Sequence, residues 1–154
     1  MNPTDSRLFR IDNRFMKRMP IQIRFTDIDI FGHINNARYP ELFDTSRYLY
    51  LNDLISDFDP QGKSMVLVHL ETNFRKQIVF EDRVFVETRV EKVGERSIGM
   101  RQYIINEKDG AIHADSYGIL STYDAVLQQS FPMPEAWRRR FEAAKSEDEN
   151  PQKH

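Results

Sequence analysis

The chain has no cysteine among its 154 residues. That excludes disulfides, a thiolate nucleophile and cysteine-ligated zinc, and it suits a reducing compartment. No apolar run is long enough to cross a bilayer and the polar N-terminus has no signal-peptide core, so the expectation is a cytoplasmic protein with no membrane partner. Charge of one sign is not in excess either. The 22 Lys and Arg stand against 24 Asp and Glu, a net charge of −2, and no field draws the protein towards nucleic acid. What is present, 40% hydrophobic and 12% aromatic residues, supports one domain with a core of ordinary size.

The informative stretch runs from Arg24 to Tyr39 and holds two carboxylates, a glycine, a histidine and an Asn pair. Before Asp27, Ile21, Ile23 and Phe25 alternate with Gln22, Arg24 and Thr26, the period of a short half-buried strand. After Asn36 the period changes. Tyr39, Leu42, Phe43, Ser46, Leu49, Tyr50 and Leu54 recur at three and four, one stripe of an amphipathic helix from Ala37 to about Asp57. The stretch is thus the turn that converts a strand into a helix. Asn35 or Asn36 is suited to cap it, and Pro40 predicts an irregular first turn.

Unpaired N–H groups and the positive end of the helix dipole point back into such a turn, which suits it to a carbonyl oxygen or an anion. Asp29, a few residues earlier, places a carboxylate beside that polarised carbonyl, and Gly32 permits a positive φ and close backbone approach between them. Acyl transfer or hydrolysis is the chemistry this layout fits.

The run Asp27-x-Asp29-x-x-Gly32-His33-x-Asn35-Asn36-x-x-Tyr39 resembles the signature of the hotdog-fold acyl-CoA thioesterases of the hydroxybenzoyl-CoA thioesterase type. Asn73 to Asp82 resembles that family's second-strand segment, and Phe131-Pro132-Met133-Pro134-Glu135 its exit into a C-terminal helix, so the likeness covers roughly residues 20–141. The resemblance implies that Asp29 is the catalytic carboxylate, as general base or nucleophile, and that the backbone N–H on or next to Asn36 polarises the thioester carbonyl. It implies an acyl-CoA substrate, no cofactor and an active site between protomers. Ile30 and Phe31 depart from the small residues common in the family, which points to a differently shaped acyl pocket. Phe31, Gly32, His33, Asn35 and Tyr39 are the candidate substrate contacts, with Phe43 and Phe74 as further pocket walls. Arg75 and Lys76, with Arg83 and Lys63, are candidates for the CoA phosphates.

Four strand patterns follow the helix: Met65 to Ile78, Arg83 to Val93, Arg96 to Asn106 and Ala111 to Tyr123. The first puts Val66, Val68, Leu70, Thr72 and Phe74 on one face. Gly94-Glu95 and Asp109-Gly110 are hairpin turns, so strands adjacent in sequence are expected to be antiparallel neighbours. One long helix followed by hairpins is an α+β pattern, a central helix wrapped by a curved five-stranded antiparallel sheet, which is the hotdog fold. Such a sheet leaves an edge that pairing across a two-fold axis removes, so a homodimer or homotetramer is expected. Trp137, Phe141 and Ala144 form the stripe of a short closing helix. The organisation expected is a polar basic arm at 1–19, one domain at 20–145, and a charged, disordered tail at 146–154.

The remaining candidates have plainer readings. Asp27 suits a structural role, accepting backbone N–H groups in its turn. His33 beside Gly32 reads as a hydrogen-bonded loop residue before it reads as a base. Counting from Asp27, a calcium loop would need ligands where Phe31 and Arg38 stand, so no metal is expected. Glu41 and Asp44 lie nearly opposite the apolar stripe, facing solvent, and His69 and His113 have no acidic partner at suitable spacing. The alternatives to a thioesterase are a hotdog dehydratase or hydratase, which needs a histidine and a helix acid, and a non-catalytic acyl-CoA binding protein. The acyl group, and CoA against an acyl-carrier protein, stay open.

Overall fold

The computed structural model describes residues 17–149. The arm at 1–19, except its last three residues, and the tail beyond 149 lie outside the described residues.

Five antiparallel strands form one sheet: β1 (Arg18–Pro20), β2 (Lys63–Phe74), β3 (Val84–Val93), β4 (Ser97–Asn106) and β5 (Ile112–Asp124), in the order β1-β3-β4-β5-β2. A long helix, α1 (Tyr39–Leu54), and a C-terminal helix, α2 (Glu135–Glu149), cover it. This is the hotdog arrangement.

The hairpins β3–β4 and β4–β5 stand where the turn residues place them, with Gly110 at φ +71° in the second. β2 differs from expectation. It pairs with β5 at the far edge instead of with β3, its neighbour in sequence. The chain must then cross the end of the sheet between Phe74 and Val84, and the crossing is pinned where Arg75 and Lys76 N–H groups donate to His113 O and where Ile78 is fully buried. A bulge between Leu67 and His69 corrects a second expectation. Val66 pairs with Ser121 and Leu67 with Leu120, so Met65 and Leu67, not Val66 and Val68, share the inner face with Leu70, Thr72 and Phe74.

The strand expected at residues 21–26 is also displaced. β1 lies earlier, and after Pro20↔Phe85 a single bond, Ile21 N–H to Val84 O, ends the pairing because β3 has no further residue to offer. Phe25–Asp27 is a 3-10 turn instead.

α1 begins after a second 3-10 turn, Asn36–Arg38, with Pro40 in its first turn. Asn35 is the cap. Its Oδ1 accepts from Ala37 N–H at 3.0 Å, and the irregular start expected from Pro40 is present. The helix ends at Leu54, three residues before the expected Asp57. Its buried stripe is Tyr39, Phe43, Ser46, Arg47, Tyr50 and Leu51, rotated so that Arg47 and Leu51 turn inward and Leu42, Leu49 and Leu54 are half-buried.

The core is split in two. Tyr39 and Phe43 pack with Ile34, Ile78, Val84, Val86, Ile104 and Ala114 at one end, while Tyr50 and Leu51 pack with Val90, Ile98, Met100, Leu120 and the Trp137–Phe141–Ala144 stripe of α2 at the other. Between them a polar row crosses the sheet, Thr88, Gln102, Ser116 and Thr72 standing opposite one another on β3, β4, β5 and β2. Gln102 donates to Phe43 O (2.9 Å) and Thr88 Oγ1 (3.1 Å), and accepts from the buried Arg47 guanidinium at 3.0 Å.

α2 also corrects the expected tail. Ser146–Glu149 continue the helix, and Asp148 is bonded to Lys17 and to the Val90 N–H.

Candidate active site

The turn from Asp27 to Asn36 is tied to itself and to the crossing after β2. Asp27 is buried and accepts from Arg24 N–H at 2.8 Å, with Arg38 Nε 3.6 Å away. Burial would raise the Asp27 carboxyl, but the Arg24 backbone and guanidinium, with Arg38, outweigh it and hold the group below its ordinary range. Its structural reading is what the geometry shows. Asn35 N–H then donates to Asp27 O at 2.9 Å, and Asp29 N–H to His33 O at 3.0 Å, closing a narrow loop. Gly32 sits at its tip with φ +84°, a conformation a side chain would strain. Ile34 N–H donates to Ile78 O at 2.8 Å, so the loop is fastened to the crossing segment.

That fastening brings the two sequence motifs together. A depression of about 140 Å³ opens at the start of α1, lined by His33, Asn36 and Tyr39 on one side and Phe74, Arg75, Lys76 and Gln77 on the other. Tyr39 and Phe74 meet edge to face, ring centroids 4.9 Å apart. Among the described residues no acceptor takes the Asn36 N–H, whereas the neighbouring Ala37 and Arg38 N–H groups are both occupied by Asn35. The free donor thus stands at the positive end of α1, in the depression wall.

Asp29 is not itself in that wall. Its Oδ1 accepts from Phe31 N–H at 2.8 Å, and its Oδ2 lies 3.9 Å from His33 Nδ1, with the side chain about one-fifth exposed. Burial, and then the negative charge of Asp29, push the Tyr39 phenol above its ordinary range. Phe31 stacks on His33 at 6.0 Å and is otherwise exposed, and Asn35 is engaged as the cap. Arg75 pairs with buried Asp115, while Lys76 is exposed and 3.9 Å from Asp109.

Lys76 also borders a larger groove of about 600 Å³, where Arg83 and Lys108 face Glu81, Asp82, Glu107 and Asp109. Apart from Lys76, none of the groove residues lines the depression. Glu41 and Asp44 are exposed, as their spacing implies, Glu41 pairing with Arg38 and Asp44 with Arg47. His113 is buried against Gln77 O and Asn106. His69, for which no acidic partner was expected, has one on its own strand, Glu71 at 2.9 Å. Gln77 is the wall residue that sequence reasoning missed.

Residues 23–141 match the model of a family described as the thioesterase-like superfamily. The chain belongs to the thioesterase-like superfamily. Thioester hydrolysis is accordingly its reaction class, and the match is to the superfamily, a broader group than the hydroxybenzoyl-CoA type. Among relatives, the long-chain acyl-CoA thioesterase FadM of Escherichia coli is 24% identical over 124 residues, 79% of this chain and 94% of that protein. A thioesterase of Thermus thermophilus, solved with coenzyme A and Zn, is similar at 27% identity and TM-score 0.73, covering 84% of this chain and 93% of its own. The DHNA-CoA thioesterase of Staphylococcus aureus shares the fold at 21% identity and TM-score 0.76, over 88% and 94% of the two chains. In this member of the superfamily the Asn36 N–H and the Asp29 carboxylate both belong to the loop that leads into α1.

Proposed function

We propose that the protein hydrolyses acyl-CoA thioesters at the depression before α1. The thioester carbonyl oxygen accepts from the Asn36 N–H, with the helix dipole favouring the negative charge that develops, a contribution of about 10²- to 10³-fold for one such donor. Asp29 serves as general base, removing a proton from water for about 10²- to 10⁴-fold, or attacks the carbonyl carbon, expelling the CoA thiolate to leave a mixed anhydride that water cleaves. The Phe31 N–H fixes one carboxylate oxygen and leaves the other for the reaction. His33, 3.9 Å from that oxygen, is a positioning residue. Lys76, exposed at the rim between depression and groove, meets the CoA phosphates, and Arg75 is the weaker candidate because Asp115 already holds it.

The observation that carries this reading is the Asn36 N–H, without an acceptor among the described residues, at a helix start that lines a concavity, with the Asp29 carboxylate in the same loop. One protomer leaves the depression shallow and keeps Asp29 out of its wall. We infer that a second copy, paired along the open edge of β2, completes the site, so the working unit is a homodimer or a tetramer of two such pairs. The family's established chemistry and the CoA-bound relative support the substrate class. Steady-state hydrolysis of an acyl-CoA panel tests it: Asp29→Asn is expected to lose at least about 10²-fold in kcat with its melting temperature kept, and Glu41→Gln to stay near wild type. Wild-type turnover in the Asp29 variant would end the assignment of the carboxylate. Hydration of enoyl-CoA in place of hydrolysis, or acyl-CoA binding without turnover in either form, would end the hydrolase reading.

A further inference from the structure

Tyr39, the first residue of α1, is only 2% exposed, and its hydroxyl has no hydrogen-bond partner among the described residues. The hydroxyl is nevertheless not sealed off. Ser116 Oγ is the one side-chain polar atom among the described residues that is both cut off from solvent and unpaired, so the small surface Tyr39 keeps includes its oxygen. The depression before α1 is the opening beside it, with Tyr39 in the wall. The O–H of a buried tyrosine ordinarily finds a partner, and here the free protein supplies none among the described residues.

The ring that carries this hydroxyl is held in place. Phe74 meets it edge to face, and Ile34, Phe43 and Ile78 belong to the same packed cluster. A phenol fixed in this way gives up little freedom when it gains an acceptor. Burial, and then the charge of Asp29, keep it above its ordinary value of 10.0, so it is a donor throughout the neutral range. Asn36 stands directly before it. The Tyr39 N–H donates to Asn36 O across the 3-10 turn, in which residues three apart eclipse one another, and helical side chains lean back towards the N-terminus. Two donors without acceptors among the described residues, the Asn36 N–H and the Tyr39 hydroxyl, thus belong to residues that line one depression.

Building on the hydrolase reading above, we propose that Tyr39 is a catalytic residue whose hydroxyl is the second donor to the thioester carbonyl oxygen, beside the Asn36 N–H. A carbonyl oxygen has two lone pairs and accepts from both. Attack at the carbonyl carbon moves the π electron pair onto that oxygen and tightens both bonds, and no proton leaves the phenol. The charge returns to the carbon–oxygen bond as the carbonyl re-forms and the CoA thiolate departs. A donor placed in advance for such an oxygen is worth about 10²- to 10³-fold. Because the bond strengthens mainly in the transition state, its loss is read in kcat and leaves KM in place.

The test is Tyr39→Phe, which keeps the ring against Phe74 and removes only the oxygen. With dodecanoyl-CoA, kcat is expected to fall about 10²-fold with KM within about twofold. The melting temperature is expected to stay at the wild-type value, since the hydroxyl has no partner among the described residues to lose. A second readout needs no turnover. In the ketone 2-oxotridecyl-CoA a methylene separates carbonyl and sulfur, so the bound molecule is not hydrolysed. Its ¹³C-labelled carbonyl resonance is expected to move downfield on binding wild type, and less on binding Tyr39→Phe. If Tyr39→Phe keeps its kcat, loses it together with the melting temperature, or leaves the carbonyl shift unchanged, the inference is wrong while turnover by wild type upholds the hydrolase reading. If wild type hydrolyses no acyl-CoA, that reading fails, and the carbonyl shift still decides whether Tyr39 donates to the bound carbonyl.

Discussion

Asp148, near the end of α2, accepts a hydrogen bond from the Val90 N–H of β3 at 3.0 Å. β1 starts opposite Glu87, so past that residue the outer edge of β3 has no strand beside it, and a side-chain carboxylate takes the place of a ladder acceptor. Lys17, just before β1, pairs with the same carboxylate. One residue therefore joins the last helix, the first strand and the bulge after Val90, and it closes the cluster that Trp137, Phe141 and Ala144 form under α2.

Burial raises the Asp148 carboxyl above its ordinary value of 3.8, and Lys17, the Val90 N–H and Arg89 offset this only in part. An acid whose folded pKa is raised binds its proton more tightly folded than unfolded. Stability is then lost as pH rises from 3.8 through the folded value. Asp148→Asn keeps an acceptor for Val90 without the charge, so its stability relative to wild type is expected to grow between about pH 4 and pH 7 in urea titrations. A gap that shrinks with pH would show that the Lys17 pair outweighs burial. Asp148→Leu, which removes the acceptor, is expected to cost about 1–3 kcal/mol at every pH.

Asp27 and Asp115 act in the opposite sense. Each is buried, which alone would raise it, yet Arg24 and Arg75 respectively, with Asn73 added at Asp115, hold it below 3.8. Their contribution is complete above that value and is lost as pH falls through the depressed folded pKa. Acid unfolding of wild type is therefore expected to steepen below about pH 4, and Asp115→Asn to be less stable at pH 7 with a flatter acid limb. Equal acid limbs in the two proteins would remove Asp115 from the account.

The parts of this molecule legible in its sequence are those whose cause is local. Asn35 caps a helix from its own position, Gly32 needs a positive φ where the loop folds back, Asp27 bonds the N–H groups beside it, and Asp109-Gly110 turns a hairpin. What escaped is set by distant partners. Arg47 borders the apolar stripe, four residues after Phe43, but its charge hides that it is fully buried until Gln102, fifty-five residues away, is seen to give it an acceptor. The bulge after Leu67 carries no signal in the continuous apolar run Met65–Val68, and with it both Val66 and Val68 lie off the inner face. Ser146 to Glu149 read as a charged tail because nothing nearby reveals that Asp148 meets Val90. Of the site, the motif residues were legible, but the approach of Gln77 and Phe74 depends on β2 leaving its sequence neighbour for β5.

That displacement of β2 also leaves one side of a twelve-residue strand unpaired among the described residues, with Val66 37% and Val68 61% exposed. An open, apolar edge is where a second copy pairs, and charged side chains block such pairing. The double substitution Val66→Lys, Val68→Lys is expected to turn a dimeric or tetrameric wild type into a monomer with an unchanged circular dichroism spectrum, as read by sedimentation equilibrium. Because Phe74 ends the same strand and forms the depression wall, hydrolysis is expected to fall at least about tenfold in that monomer, a loss on the scale of misplacing a catalytic contact. A monomeric variant with full turnover would show that one protomer holds the whole site. A variant that stays oligomeric would move the interface to another face, such as the exposed Phe25 and Phe80 pair.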